Sequence, residues 1–208
     1  MTFLIIIFLL TGLLSGFLAG LLGVGGGIII VPVSYYILII LGHSTEVAMH
    51  VSVASSLAVI VFTSISSIRS HFILKNIEGR IIKKWFIGII FGSILGSLLA
   101  SSIDGEILVL IFVFLAFLIS INMFFQKKIK IIKEDIPNSF FLNFFISSFI
   151  GFFSALIGIG GGSFSVPTLS VFSKKMHQAV GTSSVIGFFI AFPGAISYIL
   201  LGLNIEDL

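Results

Sequence analysis

Apolar residues run almost without interruption along this chain, and polar positions gather in a few short clusters between the runs. A helix needs ~20 consecutive apolar residues to cross the hydrocarbon core of a bilayer. Residues 2–22 meet that measure as a first span. Residues 28–41 form a second run that is short for a full crossing. Residues 47–70, 81–100 and 107–125 follow as a third, fourth and fifth. Beyond a basic stretch come residues 140–157, a shorter segment at 163–173, and a last run at 176–201.

Two of the gaps have nearly the same wording. Gly23-Val24-Gly25-Gly26-Gly27 leads into a short apolar segment containing Pro32, and Gly158-Ile159-Gly160-Gly161-Gly162 leads into another containing Pro167. The match extends from residues 16–32 to residues 151–167 without a gap, and residues 49–56 then match 176–183. Five crossings separate the two starts, and an odd number inverts the second copy. Inverted repeats joined by glycine- and proline-interrupted helices are a mark of secondary transporters. Counterparts of the first copy's fourth and fifth spans would lie beyond Leu208, so about two spans are expected to be missing from the second copy.

The expected fold is therefore an all-α, polytopic transmembrane protein with two inverted-topology repeats, the second incomplete. Residues 1–125 make the first repeat of about five helical segments. Residues 126–137 are a basic cytoplasmic linker, and residues 138–208 a partial second repeat of about three segments.

Composition narrows the class. Hydrophobic residues make up 58% of the chain and charged residues 9%, too little charge to cover a soluble domain of this length. There is no cysteine, which excludes disulfides and thiolate metal sites. No Lys or Arg precedes Arg69, so the first run lacks the basic start of a cleaved leader and reads as a retained span. Charge also orients the chain. With the N-terminus outside and every segment crossing, Lys75, Arg80, Lys83, Lys84, Lys127, Lys128, Lys130, Lys133, Lys174 and Lys175 all fall on the cytoplasmic side. The expected location is the cell membrane, as a multi-pass protein.

The glycine clusters are not nucleotide loops. A phosphate-binding loop needs Gly-Lys before Ser or Thr, and a dinucleotide fingerprint needs glycine where Ile28 and Ser163 stand. What glycines at a helix start do offer is free backbone N–H groups and about half a positive charge per terminus. Two such starts suit a small anion in spans that carry no acidic or basic side chain at mid-membrane. The candidate substrate-binding residues are Gly25, Gly26 and Gly27 with Gly160, Gly161 and Gly162, joined by Ser55, Ser56, Thr182 and Ser183. Pro32 and Pro167 are the candidate helix-break positions that hold the short segments.

His50 and His177 occupy matched positions. They are candidate gating or proton-sensing residues, against the plainer alternative of interfacial hydrogen bonds. The stripes Gly12-Gly16-Gly20, Gly88-Gly92-Gly96 and Ser147-Gly151-Ala155 let helix backbones approach closely and are assigned to packing. No metal-ligand spacing and no nucleophile–base arrangement occurs, so no catalytic residue, metal or cofactor is expected, nor an enzyme. The basic linker is a connector, with no nucleic-acid partner.

With the duplicated Gly-x-Gly-Gly-Gly…Val-Pro block and the Ser55-Ser56 and Thr182-Ser183 elements in place, the chain resembles the TauE/SafE family of sulfite exporters and anion permeases, from residue 12 to about residue 198. The resemblance implies an integral membrane permease for sulfite, a sulfonate or a related organic anion, working by alternating access. Its partners would be a small anionic substrate and the lipid bilayer, with a homo-oligomer left open. The alternative is a non-transporting or assembly-dependent membrane subunit, because the C-terminal spans are missing; a cation or metal permease ranks below both.

Overall fold

A computed structural model describes residues 2–22, 26–125, 136–172 and 174–202. Every element among them is an α-helix: α1 (Thr2–Leu22), α2 (Gly27–Ile40), α3 (Thr45–Ile73), α4 (Gly79–Ser101), α5 (Gly105–Phe125), α6 (Phe140–Leu156), α7 (Gly162–Val171) and α8 (Met176–Gly202). Each predicted run became one helix, with ends displaced by three residues or fewer. Gly25 and the lysines of the basic linker lie outside the described residues.

Helix length separates two kinds of element. α3, α4, α8 and α5 up to Asn122 are long and apolar enough to cross a membrane. The 14 residues of α2 and the 10 of α7 rise only about 21 Å and 15 Å at 1.5 Å per residue. Neither alone reaches across a hydrocarbon core of about 30 Å, so the expectation that every segment crosses does not hold for these two helices taken singly.

The starts of the helices differ as well. Ser44 caps α3, its Oγ accepting from Val47 N–H at 3.3 Å, and Ser139 caps α6 by accepting from Leu142 N–H at 3.4 Å. α2 and α7 begin at Gly26 and Gly161 with no side-chain cap. Their first N–H groups have no intrahelical partner.

Glycine sets how closely the helices pack. Gly88, Gly92 and Gly96 of α4 lie against the backbone carbonyls of Phe144, Ser148 and Phe152 in α6, and Gly151 lies against that of Ile89. A Cβ at any of them would collide with a partner backbone, which is the close approach expected of small-residue stripes. Beside this seam Trp85 Nε1 donates to Asn143 Oδ1 at 3.0 Å, pairing two buried polar groups. The α1 stripe departs from the expectation. Gly12 and Gly16 have nothing within 4 Å, because α1 makes its contacts chiefly with α2 and leaves that face open.

α3 and α8 pack along each other in opposite directions. Leu57 of α3 meets Gly194 late in α8, whereas Glu78, just after α3, donates its N–H to Thr182 early in α8 at 3.0 Å. One apolar core gathers Val31, Val53, Leu57, Phe112, Leu156 and Ala191, and a second gathers Trp85, Ile89, Ile150, Leu169, Ile186 and Ile190. Outside them the surface is apolar too: Leu13 is 70% exposed, Phe62 75% and Leu110 69%. Such a belt would aggregate in water and is the proper outer face in lipid. Buried polar side chains among the described residues are Ser, Thr and Asn, with no charged side chain among them.

Candidate functional site

A cavity of about 190 Å³ lies where the two glycine interruptions approach each other. One water needs only ~10–15 Å³ of such space, so a small hydrated ion fits. Gly26 reaches it from the first interruption and Gly160, Gly161 and Gly162 from the second. α1 adds Gly16. α3 adds Ile60, Thr63, Ser64, Ser67 and His71, and α8 adds Val180, Ser183, Ser184 and Gly187. Each of these two sets recurs at three- and four-residue intervals, which is one face of a helix.

The geometry at the interruptions follows from residues that only glycine can replace. Gly158 has φ +68°, in the left-handed region that costs other L-residues about 1–2 kcal/mol. Gly27 lies so close to the Gly158 carbonyl that a Cβ would collide with it. The Gly158 carbonyl also accepts from Ser56 Oγ at 2.7 Å, a buried bond from α3. On the other side Ser15 Oγ of α1 donates to the Gly26 carbonyl at 2.9 Å. Two interruptions far apart in sequence are thus pinned side by side, with the starts of α2 and α7 opening onto the cavity.

The hydroxyls around the cavity mostly hold their protons within their own helices. Thr63 Oγ1 donates to Val59 O at 3.1 Å and Ser64 Oγ to Val61 O at 3.0 Å. Ser183 Oγ donates to Val180 O and Ser184 Oγ to Gly181 O, both at 2.8 Å. They present lone pairs to the cavity. His71 is different: its Nδ1 is closed off from solvent and has no hydrogen-bond partner. A proton there would be a buried donor without an acceptor, at a cost of about 1–3 kcal/mol. The neutral ring therefore carries its proton on Nε2, an assignment made from the network.

Of the residues singled out from sequence, Gly26, Gly160, Gly161, Gly162 and Ser183 line this cavity, and Gly25 lies outside the described residues. Gly27 and Ser56 stand behind the wall, as parts of the contact between the interruptions. Thr182 is buried and accepts from Glu78 N–H at the start of α4; Ser55 is exposed on another side of α3. Pro32 and Pro167 lie inside α2 and α7, each five residues past the first helical residue, while the interruptions themselves fall at the glycines. Neither matched histidine lines the cavity. His177 is exposed, and the His50 ring nitrogens sit 2.8 Å from Glu46 O and 3.0 Å from Ala100 O, joining α3 to the end of α4.

Sequence reasoning passed over the α3 face made by Thr63, Ser64, Ser67 and His71. Its signal was there, a polar stripe at helical spacing in an otherwise apolar run. No group of three or more His, Cys, Asp or Glu able to hold a metal occurs among the described residues.

Apolar outer surface, long spanning helices and paired short ones around a cavity with no charged side chain among its described lining residues make this a multi-pass α-helical membrane protein of transporter build. The model of the family described as sulfite exporter TauE/SafE matches residues 8–206, and the chain belongs to that family. It is 34% identical to a probable membrane transporter protein of Haemophilus influenzae, over 95% of this chain and 75% of that one. The probable membrane transporter protein YunE of Bacillus subtilis is 29% identical over 97% of this chain and 80% of its own length. A relative from Methanocaldococcus jannaschii, also described as a probable membrane transporter protein, is 32% identical over 92% of this chain and 71% of its own. No solved structure gives a significant match.

Proposed function

We propose that the cavity between the glycine interruptions takes a small anion, and that the protein carries it across the cell membrane by alternating access. The substrate class is sulfite, a sulfonate or a related organic anion. The observation that carries this reading is the meeting of two helix starts, both without a side-chain cap, at one cavity. Ser44 and Ser139 cap the starts of α3 and α6, while α4 also starts without a side-chain cap but does not line the cavity. Uncapped N–H groups and two helix termini together offer about one positive charge, enough to attract an anion without a buried cation. The antiparallel packing of α3 on α8 supports an inverted repeat, since these two helices hold the matched positions 49–56 and 176–183.

The test is uptake of labelled sulfite and sulfoacetate into proteoliposomes. The double variant Gly26→Leu/Gly161→Leu fills the cavity from both sides and abolishes uptake; unchanged uptake would sink the site. The basic loops support an orientation with Lys75, Arg80, Lys83 and Lys84 in the cytoplasm and residues 42–46 outside. The chain has no cysteine, so single cysteines report sidedness without background. Ser44→Cys reacts with an impermeant maleimide on intact cells, and Lys75→Cys reacts only after permeabilisation.

A second reading, an assembly-dependent membrane subunit, draws on α1, whose Gly12 faces open space. Uptake by protein reconstituted at one copy per vesicle tells the two apart.

A further inference from the structure

We propose that His71 is the side-chain contact for the anion, donating from Nε2 to one oxygen of a three-oxygen head group such as sulfite or a sulfonate. The proposal rests on the anion-permease reading above and adds a residue to it.

Few side chains on the wall can donate a hydrogen bond. Among the described residues the cavity wall includes no Lys, Arg, Asp or Glu. Thr63, Ser64, Ser183 and Ser184 have their hydroxyl protons on carbonyls of their own helices, so they meet a ligand first as acceptors. Ser67 also offers a hydroxyl to the cavity, and among the described residues the side-chain N–H on the wall is the His71 imidazole. Its Nδ1 is sealed and unpartnered, which leaves Nε2 as the ring nitrogen a ligand can reach. Neither other ring considered for the role competes, since His50 is held against two carbonyls and His177 is exposed away from the cavity.

Position strengthens the case. His71 lies on the same face of α3 as Ile60, Ser64 and Ser67, and this face meets both interruptions across the cavity. The starts of α2 and α7 and the imidazole thus bring N–H groups from three elements to one space. A sulfite or sulfonate head offers three acceptor oxygens, a carboxylate two. The imidazole is then what favours the sulfur oxyanion over a carboxylate of similar size.

The experiment uses the reconstituted wild-type protein with methanesulfonate, sulfite and acetate as probes. Histidine carbethoxylation is followed peptide by peptide by mass spectrometry. Methanesulfonate slows modification of His71 several-fold and leaves His177 unchanged. His71→Ala weakens methanesulfonate binding about 10- to 100-fold, the range for a hydrogen bond to a charged group. It weakens acetate binding less, and His71→Gln, which keeps an N–H donor, recovers part of the loss. Equal His71 modification with and without an anion that the protein demonstrably binds would overturn the proposal and leave the permease reading standing. Wild-type protein that neither binds nor moves any of the three anions would overturn both. Because the protection arm needs no variant, a His71→Ala protein that fails to fold still leaves a decisive result.

Discussion

The two glycine interruptions have almost the same residues and sit in unlike surroundings. Residues 158–162 are all buried. Val53 presses on Gly158, while Ile186 and Ile190 close over Gly161 and Ser56 bonds the Gly158 carbonyl. Gly26, at the other interruption, is only half-buried. Its carbonyl is held by Ser15, from a helix whose Leu9, Leu13 and Phe17 face outward. Among the described residues, Gly161 thus sits in a packed wall and Gly26 at a more open edge, while Gly27 is buried against the Gly158 carbonyl. Local stability follows surrounding contacts rather than motif.

Substitutions can break or sharpen that contrast. The largest effect is expected where the two interruptions touch: Gly27→Leu drives a side chain into the Gly158 carbonyl and the Ile159 backbone. A loss of 3 kcal/mol or about that is expected, the upper end for overpacking, read as lost thermal stability in detergent together with lost uptake. Next comes the matched pair. Gly161→Ala places a Cβ 2.8 Å from Ile186 Cγ2 and 3.0 Å from Gly187 N, within a packed wall. It should cost about 1–3 kcal/mol. Gly26→Ala meets Ser15 Oγ at 2.7 Å, a hydroxyl that can turn away; a shift under ~1 kcal/mol is expected by the same scale. Equal melting shifts for the pair would erase the contrast.

The hydroxyl ties rank lower. Ser56→Ala leaves the Gly158 carbonyl short of a buried donor, for about 1–2 kcal/mol. Ser15→Ala removes a part-buried bond and should cost about 0.5–1 kcal/mol. Melting in the same detergent compares them, and Ser15→Ala producing the greater loss would reverse the assignment of packed wall and open edge.

Much of the fold was legible because its signal is local. Run length marked the spans, and glycine marked where α2 and α7 begin. The paired wording of the interruptions led to the cavity's glycine side. Partners of single hydroxyls were not legible, since these depend on which helix lies opposite. Ser56 and Thr182 look alike in the sequence, yet one ties α3 to the second interruption and the other receives the backbone N–H that opens α4. The histidines show the same limit from the other side. His50 and His177 drew attention by matching each other, whereas His71 has no counterpart in the second copy and sits at the end of a span, where a polar residue excites no notice. Its sealed, orphaned Nδ1 singles it out within the polar stripe it shares with Ser64 and Ser67.

The α4–α6 seam has a consequence for how the chain is made. α4 is synthesised with the first half, but its glycine face fits the backbone of α6, and Ser93 donates to Ile190 O in α8 at 2.6 Å. Neither partner exists when α4 leaves the ribosome, since chains emerge N-terminus first at about 5–20 residues per second. For those seconds the glycine seam has none of its partners from the second half. The first half cannot finish assembling before the second has been inserted, so a stalled or shortened chain would present that narrow, unfilled face to quality-control proteases.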